Sequence, residues 1–242
     1  MTVEGAAMNR AFLACITAAA VSGALAAPAS AATRNFGITS FDKVRVDGPF
    51  KVRLATGVAP FARASGSQAA LDRVAIEVRG NTLVVHNNLD SWGGYPGKDP
   101  GPIEVSLGTH DLSAAWINGS GTLAIDRIKG LSFDLSVQGS AGGEIGQVDI
   151  DQLNVSIVGT ASARLAGKAA RITAVVRGIS TLDAAALATK DATIGADGAA
   201  TIEASVSNAV KVDASGPATV RLEGRPACTL HISGSASVSG CK

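Results

Sequence analysis

The feature of this sequence that most restricts its fold is a glycine that recurs every 18 to 20 residues through the second half. A small residue follows each of these glycines two positions later. A period in this range indicates a stacked repeat architecture, in which each repeat packs only against its neighbours. The repeated glycines are Gly119, Gly139, Gly159, Gly178, Gly198, Gly216 and Gly234.

The residues around each glycine alternate between two kinds. Positions two and four before the glycine, and four after it, are apolar or small, whereas the odd positions are mostly polar. This period of two is typical of strands that present one face to a core. Because the glycine and its small successor share the inward parity, we expect both to lie inside a tight corner between two strands.

These patterns predict an all-β fold, a right-handed parallel β-helix (β-solenoid) with coils of 18 to 20 residues. A leucine-rich repeat has a similar length, but glycine stands here where its LxxLxL and asparagine pattern would continue. A sandwich of antiparallel hairpins would not require a small residue at the same place in every repeat. The solenoid is therefore favoured over both alternatives.

One outward column of charged residues offers a separate indication of the register. Five positions after the glycine, stacking would place Arg164 between Glu144 and Asp183. The same stacking would place Arg221 beside Glu203. Exposed ion pairs of this kind contribute only about 0.2–1 kcal/mol each, so the column indicates register and not a binding site.

The mature chain, residues 32–242, is predicted to be one domain with two parts. Residues 111–242 form the regular coils, and residues 32–110 are strand-like but less regular. The segment around Gly48 resembles that around Gly216, and the segment around Gly80 resembles that around Gly178. The first part is either a set of early coils widened by insertions or a hairpin cap that protects the first strand edge.

Residues 1–31 have the features of a secretory signal peptide. Arg10 precedes a short apolar stretch that ends in small residues at Ala31. A membrane anchor would need about 20 uninterrupted apolar residues, and this stretch is broken by residues such as Gly23 and Pro28. We therefore expect cleavage near Ala31, no membrane span in the mature chain, and a periplasmic or secreted product.

Charge and cysteine content restrict the partners further. The chain has 21 basic and 20 acidic side chains, a formal net charge of +1, which gives no reason to expect nucleic acid as a partner. Cys228 and Cys241 follow the expected cleavage site. In an oxidising compartment such a pair predicts a disulfide. A metal or redox pair is the alternative, but the spacing is not CxxC.

No catalytic or cofactor motif is present, since GxSxG, HExxH, Walker and dinucleotide patterns are all missing. The histidines His86, His110 and His231 are scattered, so we expect neither a metal nor a cofactor. The enzymatic alternative is a polysaccharide lyase or hydrolase, which requires clustered carboxylates. Its best candidates are Asp149 and Asp151 in a predicted return loop, which are otherwise solvated turn residues.

Three aromatic residues are candidates for ligand binding. Trp92 and Tyr95 lie in the one long loop, residues 87–102, and exposed loop aromatics suit stacking on sugar rings or peptide side chains. Alternatively, Trp92 covers one end of the solenoid as a plug. Trp116, at an odd position of the first regular coil, could serve either role.

The order of these motifs resembles a known family. The opening FGITSFDKVRVDGPFKVRLATG, the later IEVRGNTLVV and the serial glycine and serine repeats that end in SGSASVSGCK resemble the GIN-domain family of auto-transporter adhesin heads. The resemblance covers residues 36–242. It implies an exported β-solenoid of unestablished function, with adhesion suggested by shape alone, and it brings no catalytic or ligand residues.

The sequence thus predicts an exported, non-enzymatic binding or structural module of the cell envelope. Its expected partner is a glycan or an envelope protein, and self-association through the terminal coils is a further hypothesis. The alternative function is that of a carbohydrate-active enzyme on a β-helix scaffold.

Overall fold

A computed structural model describes residues 32–88 and 101–242. The expected signal peptide, Trp92 and Tyr95 lie outside these residues. Within them the chain forms sixteen strands and one short helix. In chain order the elements are β1 (Ala32–Phe36), β2 (Lys43–Asp47), β3 (Lys51–Thr56), β4 (Phe61–Gly66), α1 (Gln68–Leu71), β5 (Val74–Arg79), β6 (Thr82–Asn87), β7 (Glu104–Thr109), β8 (Ala114–Gly119), β9 (Thr122–Gly139), β10 (Gly142–Gly159), β11 (Ser162–Gly178), β12 (Thr181–Asp197), β13 (Thr201–Ser215), β14 (Thr219–Glu223), β15 (Ala227–Ile232) and β16 (Ser237–Ser239).

The strands wind into the predicted parallel β-solenoid. Strand β10 pairs in parallel with β9 and with β11, and Gly159 stands opposite both Gly139 and Gly178. One sequence repeat is therefore one coil. The return segments are strand instead of helix, which excludes the leucine-rich repeat, and the parallel ladders exclude the antiparallel sandwich.

Each coil contributes one strand segment before its glycine and one after it. The segments before the glycines form the pre-glycine sheet, in the stacking order β5, β6, β2, β8, the second halves of β9 to β13, and β15. The segments after the glycines form the post-glycine sheet, in the order β1, β4, β7, β3, the first halves of β9 to β13, β14 and β16. The core lies between the two sheets.

The alternating pattern is confirmed by burial in the regular coils. The apolar residues at even positions form one continuous core, while their neighbours at odd positions face solvent. Burial of each large aliphatic side chain stabilises the fold by about 1.5–3 kcal/mol. Core residues with no more than 1% exposure include Ile117, Leu123, Val137, Ile157, Val176 and Ile202.

The predicted inward position is wrong for the repeated glycines and right for the residue two beyond. Gly139 is exposed, whereas Ala141 is 2% exposed. Gly159 has φ +110, a conformation that favours glycine. A Cβ at Gly159 would lie 2.5 Å from the carbonyl oxygen of Gly139 in the preceding coil. The glycine is thus required by its backbone angle and by the close approach of successive coils.

The first part of the chain contains both coils and a cap. Strand β2 inserts in parallel between β6 and β8, and β3 inserts between β7 and β9. Strands β5, β4 and β1 are antiparallel and cover this end. Gly48 lies at a corner, where its N–H donates to the Asn118 carbonyl at 3.0 Å. The likeness of Gly80 to Gly178 is misleading, because Gly80 lies in the β5–β6 hairpin turn.

The last coil differs from the others. Its inward residues Leu230 and Ile232 are 39% and 47% exposed, because no described strand packs beyond β15 and β16. The predicted disulfide between Cys228 and Cys241 is confirmed and closes this coil. No helix in residues 32–88 or 101–242 is long and apolar enough to cross a membrane.

Candidate binding site

The enzymatic candidates do not form a carboxylate cluster. Asp149 and Asp151 lie within strand β10, not in the predicted return loop. The Asp149 carboxylate contacts Lys168 Nζ of the next coil at 3.3 Å, and Asp151 is exposed. Among the described residues, no group of three or more histidines, cysteines or carboxylates could hold a metal ion.

The charged column of the post-glycine sheet confirms the register. Arg164 Nε contacts Asp183 Oδ2 at 3.0 Å, and Arg221 Nη1 contacts Glu203 Oε1 at 2.9 Å. Glu144 stands opposite Arg164, but the ion pair of Arg164 goes to Asp183. These contacts hold neighbouring coils in line and do not by themselves make a site.

Trp116 is the one predicted ligand-binding residue inside the described part of the chain, since Trp92 and Tyr95 lie in the gap. It stands on β8 in the pre-glycine sheet and is half-buried. Arg45 of β2 lies beside it on one side, and Ser136 of β9 lies on the other. An aromatic ring on a rigid, regular strand is better fixed than one on a loop.

Trp116 lines an open recess of about 690 Å³ on this sheet. This volume is within the range of small-molecule sites. The recess spans four neighbouring strands, β6, β2, β8 and β9, and ends at the glycine corners. The residues that line it are Arg45, Thr82, Trp116, Asn118, Gly119, Gln138 and Gly139.

A hydrogen-bond network fixes the polar side chains of the recess. Arg45 Nε contacts Asp47 Oδ2 at 2.8 Å, and Asn118 Nδ2 donates to Asp47 Oδ1 at 2.7 Å. An ionised carboxylate only accepts hydrogen bonds, so the Asn118 amide nitrogen must face Asp47. The Asn118 carbonyl oxygen is thereby turned away from the carboxylate. Gln138 Nε2 donates to Ser136 Oγ at 3.2 Å.

A second charged group adjoins the recess on β5 and β6. His86 Nε2 contacts Glu77 Oε1 at 2.8 Å, and Arg79 contacts the same oxygen. The hydrogen bond from His86, followed by that from Arg79, lowers the pKa of the Glu77 carboxyl below its usual value. His86 stands opposite Asp47 in the ladder, so the two charged groups are neighbours on the sheet.

Two smaller recesses, of about 490 and 520 Å³, lie on the post-glycine sheet. Both contain Arg53, Ala124 and Glu144, and the larger also contains Phe61, which is 41% exposed. In the part of the chain that the structure describes, neither contains an aromatic side chain surrounded by amide groups. The Trp116 recess combines a flat apolar surface with directed polar groups, and this combination is typical of ligand sites.

Residues 40–226 match the family model described as "Putative auto-transporter adhesin, head GIN domain". The chain belongs to this family. No curated protein matches the GIN-domain chain. The resemblance predicted from the sequence motifs is confirmed over most of its length.

Several crystal structures share the fold of this GIN domain. A "putative adhesin" from Bacteroides fragilis NCTC 9343 is 15% identical, with a TM-score of 0.74, and the match covers 86% of this chain and 95% of that one. A "putative adhesin" from Parabacteroides merdae ATCC 43184 is 18% identical, with a TM-score of 0.66, over 88% and 96%. A "putative lipid binding protein" from Parabacteroides distasonis ATCC 8503 is 17% identical, with a TM-score of 0.66, over 88% and 97%. At these identities the likeness establishes the fold alone.

From the sequence of the GIN domain, Trp116 was predicted as a ligand-binding residue, whereas its polar neighbours were not. Arg45 and Asp47 lie in the part of the chain whose stacking the repeat did not predict. Asn118 and Gln138 occupy the same odd position, one residue before consecutive glycines. That shared position places two amides side by side, and it is the signal from which half of the site could have been found.

Proposed function

We propose that this GIN-domain protein is exported and acts as a non-enzymatic, adhesin-like binding module of the cell envelope. The observation that carries the proposal is the half-exposed Trp116 in a recess lined by amide and guanidinium groups. The signal-like residues 1–31 support export to the periplasm or the cell exterior. The adhesin names of the structurally similar proteins are in keeping with this role.

The scaffold suits attachment better than turnover. The recess is built on four neighbouring strands of the sheet, so its side chains keep their positions when a partner binds, which lowers the entropic cost of binding. Glycans and envelope proteins are the partners that we expect. The enzymatic alternative rests on Asp149 and Asp151, and the ion pair of Asp149 with Lys168 does not favour it.

The experiment compares attachment of beads coated with mature protein, residues 32–242, to bacterial cells and to isolated envelope fractions. We expect saturable attachment that Trp116→Ala strongly reduces. Arg164→Gln is the matched control, because Arg164 is exposed on the opposite sheet. No attachment by the parent protein, or equal attachment by Trp116→Ala, would contradict the proposal.

Export and the enzymatic alternative need separate measurements. Cell fractionation and N-terminal sequencing should find the mature protein outside the cytoplasm, beginning near Ala32. Incubation with a panel of polysaccharides should release no new reducing ends or unsaturated products. Turnover that disappears in the Asp149→Asn, Asp151→Asn double variant would establish the enzyme instead.

A further inference from the structure

We propose that the Trp116 recess binds a neutral saccharide residue, whose apolar ring face lies on the indole and whose hydroxyls bond to the surrounding side chains. This inference rests on the proposed function and names the chemistry of its partner. Four features support it: the open side of the indole, the unused hydrogen-bonding groups, the balanced charge and the rigidity of the network.

The indole is open on the side towards the regular coils. Along the pre-glycine sheet, Arg45, Trp116, Ser136 and Ser156 stand in one column of successive strands, about 4.8 Å apart. Arg45 is the neighbour of Trp116 on one flank, whereas the next two side chains on the other flank are short serines. The serines leave room for a flat group of about the width of two strands. A pyranose ring has an apolar face of carbon-bound hydrogens that can lie against such an aromatic surface.

The unused hydrogen-bonding groups of the recess include both donors and acceptors. Within the described residues, the side-chain oxygens Asn118 Oδ1 and Gln138 Oε1 accept no hydrogen bond from another side chain, and Trp116 Nε1 donates none. The terminal Nη groups of Arg45 and the Thr82 hydroxyl are likewise unused by other described residues. Each saccharide hydroxyl both donates and accepts, so it can bond to a carbonyl oxygen and an N–H group at once.

The charge of the recess favours a neutral ligand over an anionic one. Among residues 32–88 and 101–242, Arg45 is the only charged side chain that lines the recess, and its guanidinium already contacts Asp47 at 2.8 Å. An anionic sugar would have to compete with Asp47 for Arg45 and would place its charge near that carboxylate. A neutral hydroxyl can use the Nη groups without breaking the ion pair.

The network also holds the recess in a binding-ready geometry. Asp47 links β2 to β8 by accepting from Asn118 Nδ2, and the N–H of Gly48, directly after β2, donates to the backbone carbonyl of Asn118. Gln138 is fixed by Ser136 within β9. Because side chains that are already ordered lose little entropy on binding, even a shallow recess can bind a small ring.

The test titrates the mature protein with maltotetraose, chitotetraose and mannotetraose, and with tetragalacturonate as an anionic counterpart. Calorimetry gives the affinity, and the indole N–H resonance reports contact with Trp116 in a Trp92→Phe background, since the chain has two tryptophans. We expect at least one neutral oligosaccharide to bind saturably and to shift that resonance. Tetragalacturonate should bind more weakly.

Three variants test the geometry. Trp116→Ala should weaken neutral-saccharide binding at least about tenfold, and Asn118→Ala about two- to tenfold. Ser136→Arg should block the open side of the indole while leaving Trp116 in place, which keeps the test informative if Trp116→Ala does not fold. Arg164→Gln, on the opposite sheet, should bind like the parent.

The outcomes separate the ligand class from the proposed function. Attachment to cells that depends on Trp116, without binding of any neutral saccharide, would overturn the saccharide inference and leave the binding module intact. Stronger binding of tetragalacturonate would overturn the preference for neutral sugars. Saccharide binding that survives both Trp116→Ala and Ser136→Arg would place the ligand elsewhere and overturn the site.

Discussion

The repeated corner glycine should be far more sensitive to a single added methyl group than a glycine that only turns the chain. In Gly159→Ala, the new Cβ would lie 2.5 Å from the Gly139 carbonyl oxygen and 3.2 Å from its carbon. That oxygen also accepts the Thr160 N–H at 2.8 Å. The methyl group therefore pushes two coils apart at a hydrogen bond that joins them.

The expected cost comes from three sources. A non-glycine residue at this positive φ costs about 1–3 kcal/mol. Overpacking against a backbone that is shared by two coils costs a further 1–3 kcal/mol or so. Weakening of the hydrogen bond from Thr160 adds about 0.5–1.5 kcal/mol. We therefore expect Gly159→Ala to lower the free energy of unfolding by about 3–6 kcal/mol, a large part of a typical domain stability.

Two matched variants isolate the steric part. Gly57 has φ +73 and would place a Cβ in open space, so Gly57→Ala should cost only about 1–3 kcal/mol for the backbone angle. Gly195 has an ordinary φ and would place its Cβ 3.9 Å from Val175, so Gly195→Ala should be neutral or stabilise by about 0.5–1 kcal/mol. The loss in free energy of unfolding should therefore be largest for Gly159→Ala, intermediate for Gly57→Ala and smallest for Gly195→Ala.

The assay is urea unfolding followed by circular dichroism, with the disulfide intact in every variant. Because a stack of repeats need not unfold in one step, midpoints and slopes are both compared with those of the parent. If Gly159→Ala costs no more than Gly57→Ala, then the approach of the two coils does not explain why the glycine repeats. A large loss of stability in Gly195→Ala would show that positive φ and close approach do not decide which glycines are required.

Two further predictions concern the ends of the stack. Replacing Cys228 and Cys241 by serine should lower the free energy of unfolding by about 3 kcal/mol, because the disulfide closes a loop between cysteines 13 residues apart. Hydrogen exchange should also become faster in β15 and β16. Unchanged exchange in these two strands would contradict the prediction. His86 and Arg79 lower the folded-state pKa of Glu77 below its unfolded-state value of about 4.3. The ionised Glu77 therefore contributes fully to stability above the unfolded-state pKa, and this contribution is lost as the pH falls through the folded-state pKa. Stability should accordingly fall as the pH drops below about 4.3. Glu77→Gln should flatten this acid limb in thermal unfolding, and an identical pH profile would argue against it.

The regular coils were predictable because their information is local. The alternation with a period of two indicates which side chains face the core. The spacing of 18 to 20 residues indicates which residues lie above one another in successive coils. The same parity failed for Gly139 and its equivalents, since a residue with positive φ does not follow the alternation of an extended strand. The outward position of Trp116, like that of the charged column, was predictable because it follows from the alternation within its own coil.

The order of stacking in the first part of the chain was not predictable in this way. Alternation in β2 and β3 predicts two half-buried strands, but it carries no information about which strand lies between which. Gly48 and Gly80 each resemble a corner glycine of the regular coils in sequence, yet one forms a corner and the other a hairpin turn. Arg45 lies beside Trp116, and Asp47 beside Asn118, only because β2 inserts next to β8, so half of the site depends on a long-range pairing.

That insertion has a consequence for the order in which the molecule folds. In the regular coils, the hydrogen bond from Asn154 to Asp134 spans 20 residues, whereas the bond from Asn118 to Asp47 spans 71. Short loops close at a lower entropic cost than long ones, and contacts that are distant in sequence form more slowly. We infer that β2, although it is synthesised early, pairs only after β6 and β8, its two neighbours in the sheet, have been synthesised. The recess beside it would then be completed late in folding, after the regular coils have formed.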